Sequence, residues 1–196
     1  MRIGALANVV AGTIHGASPY AVFDRIVNDL EVPVTSFKAV DVIIVSNPIR
    51  TPDGLSSKRR ILSITEVRKG WEKDPLREQG FVELMSYNPI TDKLEATDAL
   101  KNGDSEVVKS IAATVPEWVG DWDAVWANIQ LRADLKTEIL KAAKKTSNPT
   151  LLEAAFTVKA GEQYHVLIEK SKRNKKKIDN KFVREEFVKW LKSNPS

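Results

Sequence analysis

The chain has 196 residues, 42% of them hydrophobic and 29% charged, a composition that suits a soluble globular protein of one large or two small domains. It has no cysteine, which excludes disulfides, thiolate zinc sites and a cysteine nucleophile and fits a cytoplasmic protein. The formal net charge is only +4, no apolar stretch approaches the ~20 residues a membrane span needs, and no secretion signal is expected from the N-terminal residues.

In chain order, the apolar run Asn8 to Ile14 (N-V-V-A-G-T-I) reads as a buried strand with both faces covered. Ser18-Pro19 then opens a helix, since serine caps free N–H groups and proline fits the first turn. Val22, Phe23, Ile26, Val27 and Leu30 follow at helical spacing, and Pro33 stops the run. Residues 39–46 (A-V-D-V-I-I-V-S) are a second β-rich run. The prolines and glycine of 47–57 predict a loop. A third strand covers 59–67, and 81–87 with 93–97 predict a hairpin around Asn88-Pro89.

After about residue 100 the pattern turns helical. Helices are predicted over 104–115, 121–145, 149–170, where Gly161 is a candidate interruption, and 179–192 with a stripe of Val183, Phe187, Trp190 and Leu191. Trp118, Trp122 and Trp126 are four apart, the spacing of packing residues on one helix face. The sequence thus divides into an α/β segment, 1–100, and a helical segment, 101–196.

Thr13 and His15 stand two apart at the end of the first predicted strand, so both point to one side. In open α/β sheets ligands sit beyond the carboxyl ends of strands. A hydroxyl and an imidazole there would face a bound nucleotide. The competing reading makes His15 a structural residue that ends a strand. No G-x-x-x-x-G-K-S/T loop occurs, and there is no Gly-Lys pair at all, so the chain lacks the backbone cradle and lysine that hold a triphosphate. G-x-G-x-x-G and G-x-S-x-G are also missing. With two histidines 150 positions apart and no cysteine, no metal site is expected. The run Lys170 to Lys177 (K-S-K-R-N-K-K-K) is the densest charge. Its residues Lys175, Lys176 and Lys177 are candidates for an anionic membrane or nucleic-acid surface, although no aromatics interleave for base stacking. The competing reading is a solvated helix end.

The order R-I-G-A-L-A-N-V-V-A-G-T-I-H-G-A-S-P-Y-A-V-F-D-R-I from Arg2, then V-D-V-I-I-V-S from Val40 and K-R-R-I-L-S-I-T-E-V from Lys58, resembles the region after the Walker B motif in the secretion and pilus superfamily of hexameric ATPases. It is most similar to the archaeal type II/IV secretion-like members, relatives of archaellum and type IV pilus motors. D-W-D-A-V-W-A-N-I-Q-L-R from Asp121 and N-P-T-L-L-E-A-A-F from Asn148 extend the likeness through the tail. The resemblance implies the C-terminal part of a RecA-like P-loop core over 1–100 and a helical subdomain over 101–196. It implies that Thr13 and His15 belong to the family's His box, which senses or positions the γ-phosphate, and that Arg25, Arg59 and Arg60 serve nucleotide sensing or phosphate contact. ATP and Mg²⁺ are then cofactors of the complete enzyme only, because the family's Walker A and Walker B residues precede the position of Met1. No ATP hydrolysis is expected of this chain alone. Expected partners are a second copy or the missing N-terminal ATPase portion, and a membrane platform protein at the inner face of the membrane. Nucleic acid is not an expected partner of the motor. The alternative is a non-enzymatic interaction module that binds a motor partner or an anionic surface.

Overall fold

A computed structural model of the protein describes residues 10–51, 53–174 and 178–194. It is mixed α and β, with one four-stranded antiparallel sheet and several helices. Two compact units are present, residues 1–111 and 112–196.

In the first unit, helix α1 (Pro19–Asp24) begins as the sequence predicts. Ser18 has extended backbone and its Oγ accepts from the N–H of Ala21 at 3.1 Å. The helix continues as a π-helical turn, Arg25–Asp29, and the short helix α2 spans Val34–Phe37. The sheet is a meander of β1 (Val42–Arg50), β2 (Ser57–Val67), β3 (Phe81–Asn88) and β4 (Lys93–Ala96), in that spatial order. The hairpin predicted around Asn88-Pro89 is β3–β4. Asn88 Oδ1 organises its turn by accepting from the N–H of Ile90 at 2.9 Å. Two short helices follow, α3 (Asp98–Lys101) and α4 (Glu106–Ala112).

Three expectations are corrected here. Of the strand predicted over 8–14, residues 8 and 9 lie outside the described residues, and 10–14 have no regular structure, are exposed and pair with no described strand. An apolar run becomes a strand only where a neighbour accepts its ladder. The predicted loop at 47–57 is shorter, because β1 runs through Pro48 to Arg50. Asp41 O accepts from Val67 N, and Thr51 N donates to Ser56 O. Odd-numbered backbone groups of β1 therefore face β2, and the donor that Pro48 lacks would have pointed away from the sheet. A proline on an edge strand costs no ladder bond in that orientation. Finally, the rule that places ligands beyond the carboxyl ends of strands does not apply to this sheet, whose consecutive strands alternate in direction.

One sheet face packs against α1 and α2. Val22, Phe23, Phe37, Ile43, Val45, Val67 and Trp71 form its core. Phe23 meets Phe37 and Trp71 edge-on, with centroids 5.1 and 5.6 Å apart. Trp71 Nε1 donates to Arg68 O at 2.7 Å, so the polar end of this buried ring is satisfied. Lys38 lies over the ring, 4.8 Å from its centroid, and donates to Trp71 O. Gly80 is required beside it: a Cβ there would lie 2.6 Å from both Trp71 Cδ1 and Pro75 Cβ.

The second unit is a helical assembly. Helix α5 (Trp122–Thr146) starts at Asp121, whose Oδ1 accepts from Ala124 N at 2.9 Å. A 3₁₀ turn (Pro149–Leu152) leads into α6 (Ala154–Asn174), which is continuous through Gly161 rather than broken there. Glycine weakens a helix but does not end one when both flanks are packed, as Ala160 and Tyr164 are. Helix α7 (Asn180–Ser193) is capped by Asp179. The core combines Leu131, Leu135, Ile139 and Ala143 of α5 with residues of α6 and α7. Trp118, Trp122 and Trp126 are half-buried. No helix among the described residues is long and apolar enough to cross a membrane.

Candidate functional site

Thr13 and His15 lie in the irregular segment that leads into α1, and both are exposed. Neither side chain has a hydrogen-bond partner among the described residues. Their approach to the helix is fixed at Gly16, where a Cβ would sit 2.8 Å from Val22 Cγ2 and 3.2 Å from Val22 N. The backbone therefore passes close over the first turn of α1, and Ser18 caps it two residues later. The imidazole is exposed to an incoming group.

The three arginines are not gathered around that segment. Arg25 extends from the end of α1 and pairs with Asp29 at 3.2 Å, both half-exposed. Arg59 is exposed on β2, and its carbonyl accepts from Arg60 Nη1 at 2.9 Å. Arg60 grips the β3–β4 turn. Its Nε and Nη2 each reach an oxygen of Asp92 at 2.7 Å, a two-point fork of the strong kind. Tyr87 donates to the same carboxylate at 2.8 Å. The Arg60 and Tyr87 hydrogen bonds hold the Asp92 carboxyl well below the usual carboxylate range. Lys175, Lys176 and Lys177 lie outside the described residues.

Sequence reasoning passed over Glu66, which the structure makes prominent. It is fully buried. Its Oε1 accepts from Glu106 N at 2.8 Å, and its Oε2 accepts from Ser105 Oγ at 2.5 Å and Val107 N at 3.3 Å. Arg68 Nη1 stands 3.4 Å away and also reaches Glu106, while its Nη2 reaches Asp104. Both oxygens of this carboxylate fasten β2 to the start of α4, so Glu66 is a structural anchor. A glutamate flanked by Thr65 and Val67 in a strand was the available signal, because an acid inside a β-rich run needs a donor set nearby.

A cleft of about 470 Å³ opens beside the start of α1. Ser18, Pro19 and Tyr20 form one wall, with Leu76 and Phe81 completing the apolar lining. Its floor is the α1-facing side of the sheet, where Ile43, Thr65 and Glu83 are successive neighbours across β1, β2 and β3. The row runs from apolar Ile43 to polar Thr65 and Glu83. Leu76 is set by the 71–80 loop. There, Glu78 accepts backbone N–H groups of Asp74, Glu72 and Lys73 at 2.6 to 2.9 Å, which lowers its pKa. Asp74 Oδ1 accepts from Leu76 N at 2.9 Å.

The second histidine, His165, is exposed on α6 with its ring edge-on to Tyr164, 5.0 Å between centroids. No cluster of three or more metal-ligating side chains occurs among the described residues. No family model matches this chain, and no curated protein shows significant similarity to it.

Proposed function

We propose that the chain works as the C-terminal portion of a RecA-like motor ATPase that drives secretion or filament assembly, with Thr13 and His15 contributed to a nucleotide site. The reading rests on one observation above all. In the order T-I-H-G-A-S-P-Y, the hydroxyl and imidazole stand exposed a few residues before a capped helix whose approach is fixed by Gly16. That leaves both groups accessible to a phosphate brought by another polypeptide or segment. The chain has no Gly-Lys pair, so the phosphate loop and the Mg²⁺ ligands must come from elsewhere. When bound, Mg²⁺ would neutralise charge developing on the transferred phosphoryl group. His15 would hydrogen-bond a terminal phosphate oxygen, and Arg25, at the end of the helix that follows, would shift from Asp29 toward an anion.

A reconstitution tests this. The purified chain alone is expected to show no ATP turnover. Mixed with a polypeptide of the same superfamily that carries the phosphate loop and the acidic Mg²⁺ ligands, it should restore turnover, and His15→Ala should abolish that gain. Turnover by the chain alone that His15→Ala removes would refute the proposal, and so would a mixture in which His15→Ala and the parent perform alike.

A second reading, a non-enzymatic interaction module, is favoured by the other sheet face. Ile44, Ile64, Met85 and Ala96 form one apolar row across all four strands, and Ile44 is 58% exposed. In that case binding to a motor partner appears without any turnover.

A further inference from the structure

We infer that the cleft beside α1 is a binding site for a small ligand that joins a flat apolar body to an amino group. This inference is independent of the motor reading. The cleft's volume of about 470 Å³ is in the range of small-molecule sites.

The decisive feature is its floor. Ser63 and Thr65 are 8% and 3% exposed, so each is more than nine-tenths buried. Neither hydroxyl has a hydrogen-bond partner among the described residues. Yet no described buried side-chain oxygen is both sealed from open space and unpartnered. The two hydroxyls therefore keep access to open space, and both residues line the cleft. A ligand that fills the cleft excludes water from these hydroxyls, so it must supply hydrogen-bond partners in its place.

The walls say what else the ligand carries. Pro19, Tyr20, Leu76 and Phe81 line the cleft with rings and aliphatic surface, which suits a flat apolar body. Glu83 is the sole charged residue of the lining. It lies next to Thr65 across the β2–β3 ladder and makes no ion pair among the described residues. An ionised carboxylate only accepts hydrogen bonds, so the polar end of the ligand must donate. Serine and threonine hydroxyls donate or accept, and adapt to the same ammonium or amino group. A carboxylate-bearing ligand would be repelled by Glu83 and should bind more weakly.

Amide NMR of the full-length chain tests the site with two probes of like shape and opposite charge, tryptamine and indole-3-acetate. Tryptamine should shift the amides around Ser63, Thr65 and Phe81 saturably. Indole-3-acetate should bind about five- to tenfold more weakly, the scale expected when a partly exposed charge contact turns from attraction to repulsion. Glu83→Gln is an exposed change that leaves the core intact, and it should erase the difference between the probes. Thr65→Val keeps the shape but loses the hydroxyl, and should weaken tryptamine several-fold. Absence of saturation with tryptamine, shifts confined to other surfaces, equal affinity of the two probes for the parent chain, or unchanged probe preference in Glu83→Gln would each overturn the inference.

Discussion

The two units solve the problem of a core in different ways. In the first, Trp71 and Phe37 are almost fully buried at contacts that join a helix, a strand end and a loop distant in sequence. In the second, Leu131, Leu135, Ile139 and Ala143 recur every four residues along one helix and meet two others. The first is a fitted assembly of few large rings. The second is a periodic seam of many medium side chains. A fitted core concentrates its stability in single contacts, whereas a seam distributes it. The exposed histidine segment and the cleft belong to the fitted unit, where rigid packing holds a small number of polar groups at a defined edge.

That contrast is broken most severely at Trp71. Trp71→Ala removes the ring shared by Phe23, Phe37 and Lys38 and should cost about 3–5 kcal/mol. Chemical denaturation of the full chain should then lose the sheet-containing unit first, while far-ultraviolet helicity of the second unit persists. Equal loss of both signals would mean that the units do not differ in this way. Gly80→Ala adds a single methyl but drives it within 2.7 Å of Pro75 and Trp71 atoms. The expected loss is about 1–3 kcal/mol, large for one carbon on a loop, and the same denaturation curve measures it.

The periodic unit has one position where it behaves like the fitted one. Asn128 donates to Tyr164 Oη at 2.6 Å inside the core. Tyr164→Phe keeps the ring and the Arg132 contact over its face but leaves a buried amide without its acceptor. About 1–3 kcal/mol should be lost. Leu135→Met on the same seam should cost less than about 1.5 kcal/mol. If the two variants unfold at the same denaturant concentration, the polar pair adds nothing to the seam.

What the sequence showed followed the same division. Helix α5 was legible because its apolar period ends in recognisable caps, Asp121 at one end and Asn148-Pro149 beyond the other. The β3–β4 hairpin was legible because Asn88 and Pro89 stand between two short β-rich runs. Residues 10–14 misled because apolar character alone does not report whether a neighbouring strand exists to pair with. Pro48 misled in the opposite sense, since its tolerance depends on which way one residue of an edge strand faces. Glu66 was legible only as an acid that needs donors; which donors was not, because Ser105, Glu106 and Val107 lie about forty residues away. The cleft was equally hidden. Ser63, Thr65 and Glu83 look like ordinary alternating polar positions until the register sets Thr65 beside Glu83 and the start of α1 forms a cleft wall beside them.

The smallest expected effect concerns Arg60, and it separates a structural arginine from one free to meet a phosphate. Asp92 has a positive φ of 52° in the β3–β4 turn, a conformation that aspartate tolerates better than most residues. Arg60 first, and Tyr87 second, depress its carboxyl pKa in the folded chain. An acid whose folded pKa lies below its unfolded value of about 4 contributes stability that is fully present above that value. The contribution drains away as the pH falls through the folded value. Carbon-detected NMR titration should therefore find the Asp92 carboxyl still ionised at pH 3, where free aspartates are protonated. In Arg60→Ala it should titrate closer to the ordinary range, with the remaining depression due to Tyr87 and Lys58. The side chains are 33% and 41% exposed, so concentrated salt should weaken the fork in the parent chain and move the titration in the same direction. An Asp92 titration identical in parent and variant would mean that Arg60 is not committed to the turn in solution, and its guanidinium would then be available to an anion.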